Sequence, residues 1–227
     1  MGSFSNLFKK IMGGLSSDSQ SNGDKGSEMK KSFKVVRVQP TPNPDAFQFI
    51  MNGPVILTGT KTYNNADEGK GDPLAESLFA IYGVENIFFK ESFVTISKSK
   101  VVGWHTVMEK IGEILEAELV QYEKCDIPDE HTSVADSVLE QFNKEDFATS
   151  SDEQKAKVIE ALLDIAIRPA LANDGGGLDI LGIEGNVIKI HYQGACGSCP
   201  SSTAGTLSYI ETFLKEALHP DLQVQAN

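Results

Sequence analysis

Residues 178–207, LDILGIEGNVIKIHYQGACGSCPSSTAGTL, decide how the second half of this chain folds. Two runs rich in Ile and Val flank Glu184–Gly185–Asn186, so the pattern predicts a hairpin with strands at 178–183 and 187–192. Gly194 lets the chain leave the second strand in a conformation that side chains disfavour, and Gly197 does the same between Cys196 and Cys199. Pro200, with its fixed φ and missing amide proton, suits the first turn of a helix running to about Leu218. Upstream, Ser151 or Asp152 caps a helix whose residues Val158, Ile159, Leu162, Leu163, Ile165 and Ala166 form a broad apolar face. Pro169 interrupts the amide ladder, so that helix kinks or ends nearby. "DLQVQ" (221–225) adds a short final strand. Helix, hairpin, loop and helix make a small α+β sandwich.

The first half reads as a second sandwich of the same class. "FKVVRVQP" (33–40) is a strand stopped by Pro40, Pro42 and Pro44, and "AFQFIM" (46–51) is a second strand with Phe47 and Phe49 on one face. Residues 59–72 are polar and Gly-rich and read as a loop. Asp72 caps a helix with Pro73 at its first position and Gly83 past its end. A hairpin follows, Ile87–Phe89 against Phe93–Ile96, and then a helix over about 101–120 with Trp104, Val107, Met108, Ile111 and Leu115 at helical spacing. The expected organisation is a leader over 1–32, a domain over 33–120, an acidic linker over 121–151 and a second domain over 152–227. The stretch from Tyr122 to Glu153, the linker and the first residues after it, carries most of the net charge: ten acidic residues against Lys124 and Lys144. It has room for a short helix at "VADSVLEQF".

Composition narrows the function. The formal charge is −12, from 32 acidic and 20 basic residues, which argues against nucleic acid as a partner. No apolar run is long enough for a transmembrane segment. The start, "MGSFSNLFKKIMGGLSS", lacks the apolar core of a secretory signal and the arginines of most mitochondrial presequences, and 13–31 read as a flexible leader. Three cysteines are too few for a disulfide framework, so a reducing compartment is expected. Bacterial cytoplasm is the first reading, with mitochondrion or plastid as alternatives.

Cys196 and Cys199 are the candidate ligands. Two residues between thiols let both sulfurs turn toward one point, a spacing shared by zinc ribbons and iron–sulfur loops. The amides and dipole of the helix that follows favour the thiolate, the metal-binding form. No second CxxC exists, Cys125 lies alone in the acidic stretch, and His105, His131, His191 and His219 show no ligand pairing. Two thiolates can be completed to four by a symmetric copy of the chain. The alternatives are an ordinary reduced pair, a zinc-bridged dimer and a thioredoxin-like dithiol oxidoreductase, to which "CGSC" is similar. Against the last, only 28 residues follow Cys199, and the helix takes most of them. The "DGGG" turn lacks the Gly-Lys-Ser/Thr of a phosphate loop, and no hydrolase constellation can be assembled, so no catalytic residue is assigned. "PTPNP" reads as a stiff turn, Trp104 as core, and the first domain, with no Cys or His between 33 and 104, as a protein-binding unit.

"RPALANDGGGLDILGIEGNVIKIHYQGACGSCPSSTAGTL" closely resembles the C-terminal domain of the NifU/Nfu iron–sulfur cluster scaffold and carrier proteins. The shared features are Arg168–Pro169, the Asp174–Gly175–Gly176 turn, the strand pair, and Gly194, Cys196, Ser198, Cys199, Pro200 and Ser201. "QPTPNPDAFQFI", "DPLAESLFAIYGVENIFF" and "FVTISK" resemble the family's N-terminal domain. One departure stands out: many members place aspartate directly after the Gly-Gly turn, where this chain has Gly177 and reaches acid only at Asp179. The resemblance implies a 4Fe–4S cluster bridged between two chains by Cys196 and Cys199 of each. It implies delivery to apo iron–sulfur client proteins, supply by upstream cluster-assembly machinery, and a role other than that of an enzyme.

Overall fold

A computed structural model describes residues 33–122, 138–139, 142–197 and 200–226. The leader, the greater part of the linker with Cys125, and Cys199 itself lie outside the described residues. Ser32–Asn227 form one compact unit built on two sheets.

The first sheet has five antiparallel strands in the order β1-β2-β5-β4-β3, with β1 Val35–Pro40, β2 Ala46–Met51, β3 Thr60–Tyr63, β4 Val84–Lys90 and β5 Phe93–Lys98. Helices α1 (Pro73–Phe79) and α2 (Trp104–Glu118) cover one face. Phe49, Ile87, Phe89, Val94 and Ile96 point to that side and meet Leu74, Leu78, Val107, Ile111 and Leu115 in one apolar cluster. The expected cap is present: the Asp72 carboxylate accepts from the Ala75 amide at 3.1 Å, with Pro73 opening the helix. A cap of this kind contributes about 1 kcal/mol. Trp104, expected in the core, is half-buried at the margin of this cluster, edge-on to Phe47 with centroids 4.7 Å apart, its Nε1 donating to the Pro44 carbonyl at 3.0 Å.

The loop expected over 59–72 needs correction. Its first residues form β3, paired with β4 from Thr60↔Lys90 to Tyr63↔Ile87. Thr-Lys-Thr-Tyr carries one buried side chain, too little apolar character to signal a strand, but it lies on a sheet edge where that suffices.

The second sheet has the order β6-β7-β8, with β6 Gly176–Glu184, β7 Val187–Gly194 and β8 Gln223–Ala226. The β6–β7 hairpin is antiparallel, and β8 runs parallel to β7. A parallel neighbour requires a crossover, and α5 (Pro200–Ala217) provides it. Helix α3 (Asp152–Ala166) opens with a reciprocal capping box between Ser151 and Gln154. It stops where Pro169 enters, and α4 (Arg168–Asn173) begins. Within the stretch read as linker, Lys144–Thr149 form a 3-10 turn whose Phe147 is fully buried.

All six residues of β5 are buried, so both faces of the first sheet are covered. The second face carries Ile50, Phe88 and Phe93, and they pack with Ala172 of α4. The β6–β7 hairpin and α4 therefore lie against the outer face of the first sheet.

Candidate metal centre

The β7 strand ends at Gly194, whose φ of +61° matches its expected role, and Ala195, Cys196 and Gly197 turn the chain toward α5. The turn is pinned by backbone bonds. The Ala195 amide donates to Gly175 O at 3.1 Å, and the Gly197 amide donates to Gly194 O at 3.2 Å. Gly176 pairs with Gly194 at the root of the hairpin, and a Cβ built on Gly176 would lie 2.5 Å from the Cys196 sulfur. The thiol thus rests directly on the Gly176 backbone, in a space that only glycine leaves open.

Cys196 is 8% exposed and borders a cavity of about 290 Å³. The walls are Leu171, Asp174, Gly205 and Thr206 of its own domain and Pro42 and Asn43 of the N-terminal domain. Burial pushes the Asp174 carboxyl above the ordinary range. Tyr192 is buried four residues before Cys196, and burial followed by the charge of Cys196 raises its phenol.

Several residues shape this loop without any motif to announce them. Asn43 Nδ2 donates to Ala195 O at 3.0 Å, a buried bond between residues 152 positions apart. Gln48 Nε2 donates to Ala172 O at 2.9 Å, and Thr60 Oγ1 donates to Gln193 Oε1 at 3.1 Å. A Cβ on Gly175 would come within 2.8 Å of Thr41, and one on Gly194 within 2.8 Å of the Phe88 ring. At Gly177, the position of the departure, a Cβ would lie 3.3 Å from Phe88. Gly177 thus sits under a ring of the neighbouring domain. The acid the chain reaches at Asp179 serves elsewhere. It accepts from Gln193 Nε2, and burial first, then Glu160, raise its carboxyl against the opposing pull of Arg168 and His191.

The described histidines, His105, His191 and His219, stay apart from the cavity walls, and His131 lies outside the described residues. His191 sits opposite Asp179 in the hairpin, and His219 Nδ1 accepts from the Asp221 amide at 3.3 Å. Among the described residues no three His, Cys, Asp or Glu side chains gather into a metal-binding group. Cys196 stands where the sequence puts it, at the head of the loop before α5. The thioredoxin-like alternative gains nothing, since among the described residues a single strand, β8, follows α5.

Residues 36–122 match the family model described as "Scaffold protein Nfu/NifU N terminal", and residues 159–225 match the "NifU-like domain". The chain belongs to the NifU/Nfu family. It is 33% identical over 191 residues to "NifU-like protein 4, mitochondrial" of Arabidopsis thaliana, covering 83% of this chain and 64% of that protein. It is 30% identical over 181 residues to "NFU1 iron-sulfur cluster scaffold homolog, mitochondrial" of Drosophila erecta, covering 79% of this chain and 60% of that protein. The chain thus spans about three fifths of these relatives' length. Among solved structures, the solution structure of a NifU-like protein from Saccharomyces cerevisiae is 21% identical, with a TM-score of 0.39, covering 48% of this chain and all of the other. The two family matches sit on the two sheets, in agreement with the α+β reading.

Proposed function

We propose that this protein binds a 4Fe–4S cluster through Cys196 and Cys199, two thiolates from each of two chains, and transfers it to apo iron–sulfur proteins. The observation that carries this reading is the family match over both halves of the chain, together with a CxxC pair at the end of the matched hairpin. The chemistry is that of a carrier. Two ligands per chain hold a cluster while leaving it open to thiolate exchange with an acceptor, which a closed cage of four cysteines would resist. The cluster is cargo, supplied by upstream assembly machinery, and the protein is a binding and transfer agent rather than a catalyst. The relatives above carry "mitochondrial" in their names, and a mitochondrion is the compartment proposed here. Bacterial cytoplasm, the first reading of the sequence, receives no support from them.

The test is anaerobic reconstitution with iron and sulfide, followed by metal analysis and visible absorption. Cys196→Ser and Cys199→Ser each abolish loading, and Cys125→Ser loads as the unaltered chain does. Normal loading of either first variant, or bound zinc in place of iron, contradicts the assignment.

A further inference from the structure

The thiol assigned to the cluster is shut in, and part of what encloses it comes from the other domain. Pro42 and Asn43 wall the cavity that Cys196 borders, and the Asn43 amide group holds the carbonyl of Ala195, its immediate neighbour. The contact continues away from the loop. Thr41 lies on Gly175, Phe88 on Gly177 and Gly194, and Gln48 holds Ala172 O at the end of α4. A cysteine only 8% exposed cannot meet a cluster held by a second chain until this cover moves.

The make-up of the contact says that it can move. Among the described residues it includes bare glycine backbone, side-chain hydrogen bonds from Asn43, Gln48 and Thr60, and the small apolar group Ile50, Phe88, Phe93 and Ala172. A mixed polar surface of this kind is typical of domains that separate, whereas the helix-covered face of the same sheet is continuous apolar core. We propose that the N-terminal domain is a lid on the cluster loop: the 41–43 turn and the outer sheet face keep Cys196 closed, and the chain sheds this contact to take up or release its cargo. The proposal rests on the assignment of Cys196 as a cluster ligand, and it adds a regulatory element to that site. A closed state populated most of the time lowers the apparent reactivity of the thiol by the fraction of molecules open at any moment.

Two isosteric substitutions remove the clasp while keeping the local turn. Asn43→Asp retains the Oδ1 that accepts from the Asp45 amide at 3.0 Å, and it sets an acceptor against Ala195 O in place of the donor. Gln48→Glu likewise retains the acceptor that Gln39 Nε2 uses and loses the donor to Ala172 O. The experiment measures the rate of iodoacetamide addition to Cys196 by mass spectrometry, in the full chain carrying Cys125→Ser and Cys199→Ser, with circular dichroism to confirm folding. Each variant is expected to react about five to ten times faster than the parent, the factor set by one hydrogen bond of ordinary worth. Unchanged rates in both folded variants overturn the proposal.

Hydrogen exchange of the unaltered chain gives a second reading that needs no variant. On cluster loading, amides in 41–48 and 171–177 lose protection. Protection that persists in the loaded chain overturns the lid. Failure of the chain to load iron at all overturns the cluster assignment instead, and the alkylation rates still decide whether the lid exists.

Discussion

The two faces of the five-stranded sheet are both buried, yet they are built differently. Toward α1 and α2 the strands present Phe49, Ile87, Phe89, Val94 and Ile96 to one continuous apolar cluster. Toward the C-terminal domain the same strands present Gln48, Thr95, Phe88 and Phe93 against a glycine-lined hairpin. Thr95 approaches Gly175, and Gln48 makes its hydrogen bond across the contact. The first face is what holds the domain together, because apolar burial of this extent dominates the stability of a small domain. The second can part at a cost of a few hydrogen bonds and one small cluster. Burial alone therefore does not separate core from contact; composition does.

Phe88 and Phe89 are adjacent in β4, both fully buried, and belong to the two different faces. Phe89→Ala leaves a cavity in the core and is expected to lower global stability by about 3–5 kcal/mol in denaturant unfolding. Phe88→Ala is expected to lower it by roughly 1–3 kcal/mol, since the domains can separate rather than hold a void. It should also split a single unfolding transition into two. Equal losses with one transition for both variants would erase the distinction between the faces.

A smaller effect separates the domains by pH. Burial alone would raise the Asp72 carboxyl, but the Tyr63 and Tyr122 hydroxyls, the Ala75 amide and the Lys61 charge outweigh it and hold it below the ordinary range. A carboxyl lowered in the folded state contributes stability above its unfolded value, about 4, and loses it as pH falls through the folded one. Asp179 in the C-terminal domain is raised by burial, so the sign reverses: its contribution favours folding at low pH and is lost as pH climbs from the unfolded value through the folded one. Carboxyl NMR titration is expected to place Asp72 below and Asp179 above ordinary aspartates. The opposite order would show the two networks misassigned.

Much of the architecture was legible because periodicity and punctuation carry it. The hairpin, the caps at Asp72 and Ser151, the break at Pro169 and the start of α5 at Pro200 all follow from local chemistry. Strand β3 was not legible, because an edge strand of Thr, Lys and Tyr gives no apolar alternation. The contact between the domains was hidden for a related reason. Glycine backbone, Asn43 inside a proline-rich turn and Gln48 midway along a strand have no pattern that marks them as partners. Gly177 was visible only as a departure from the family's acidic turn, and the Phe88 ring above it supplies a steric reason. The proposed ligand pair was read from spacing, and Cys196 stands at the head of the predicted loop, beside the cavity.

Native mass spectrometry of the anaerobically reconstituted chain tests the central claim most directly. The account predicts that iron and sulfide appear in a species of two chains sharing one 4Fe–4S cluster, and that the single chain carries none. A complete cluster on a single chain would contradict it.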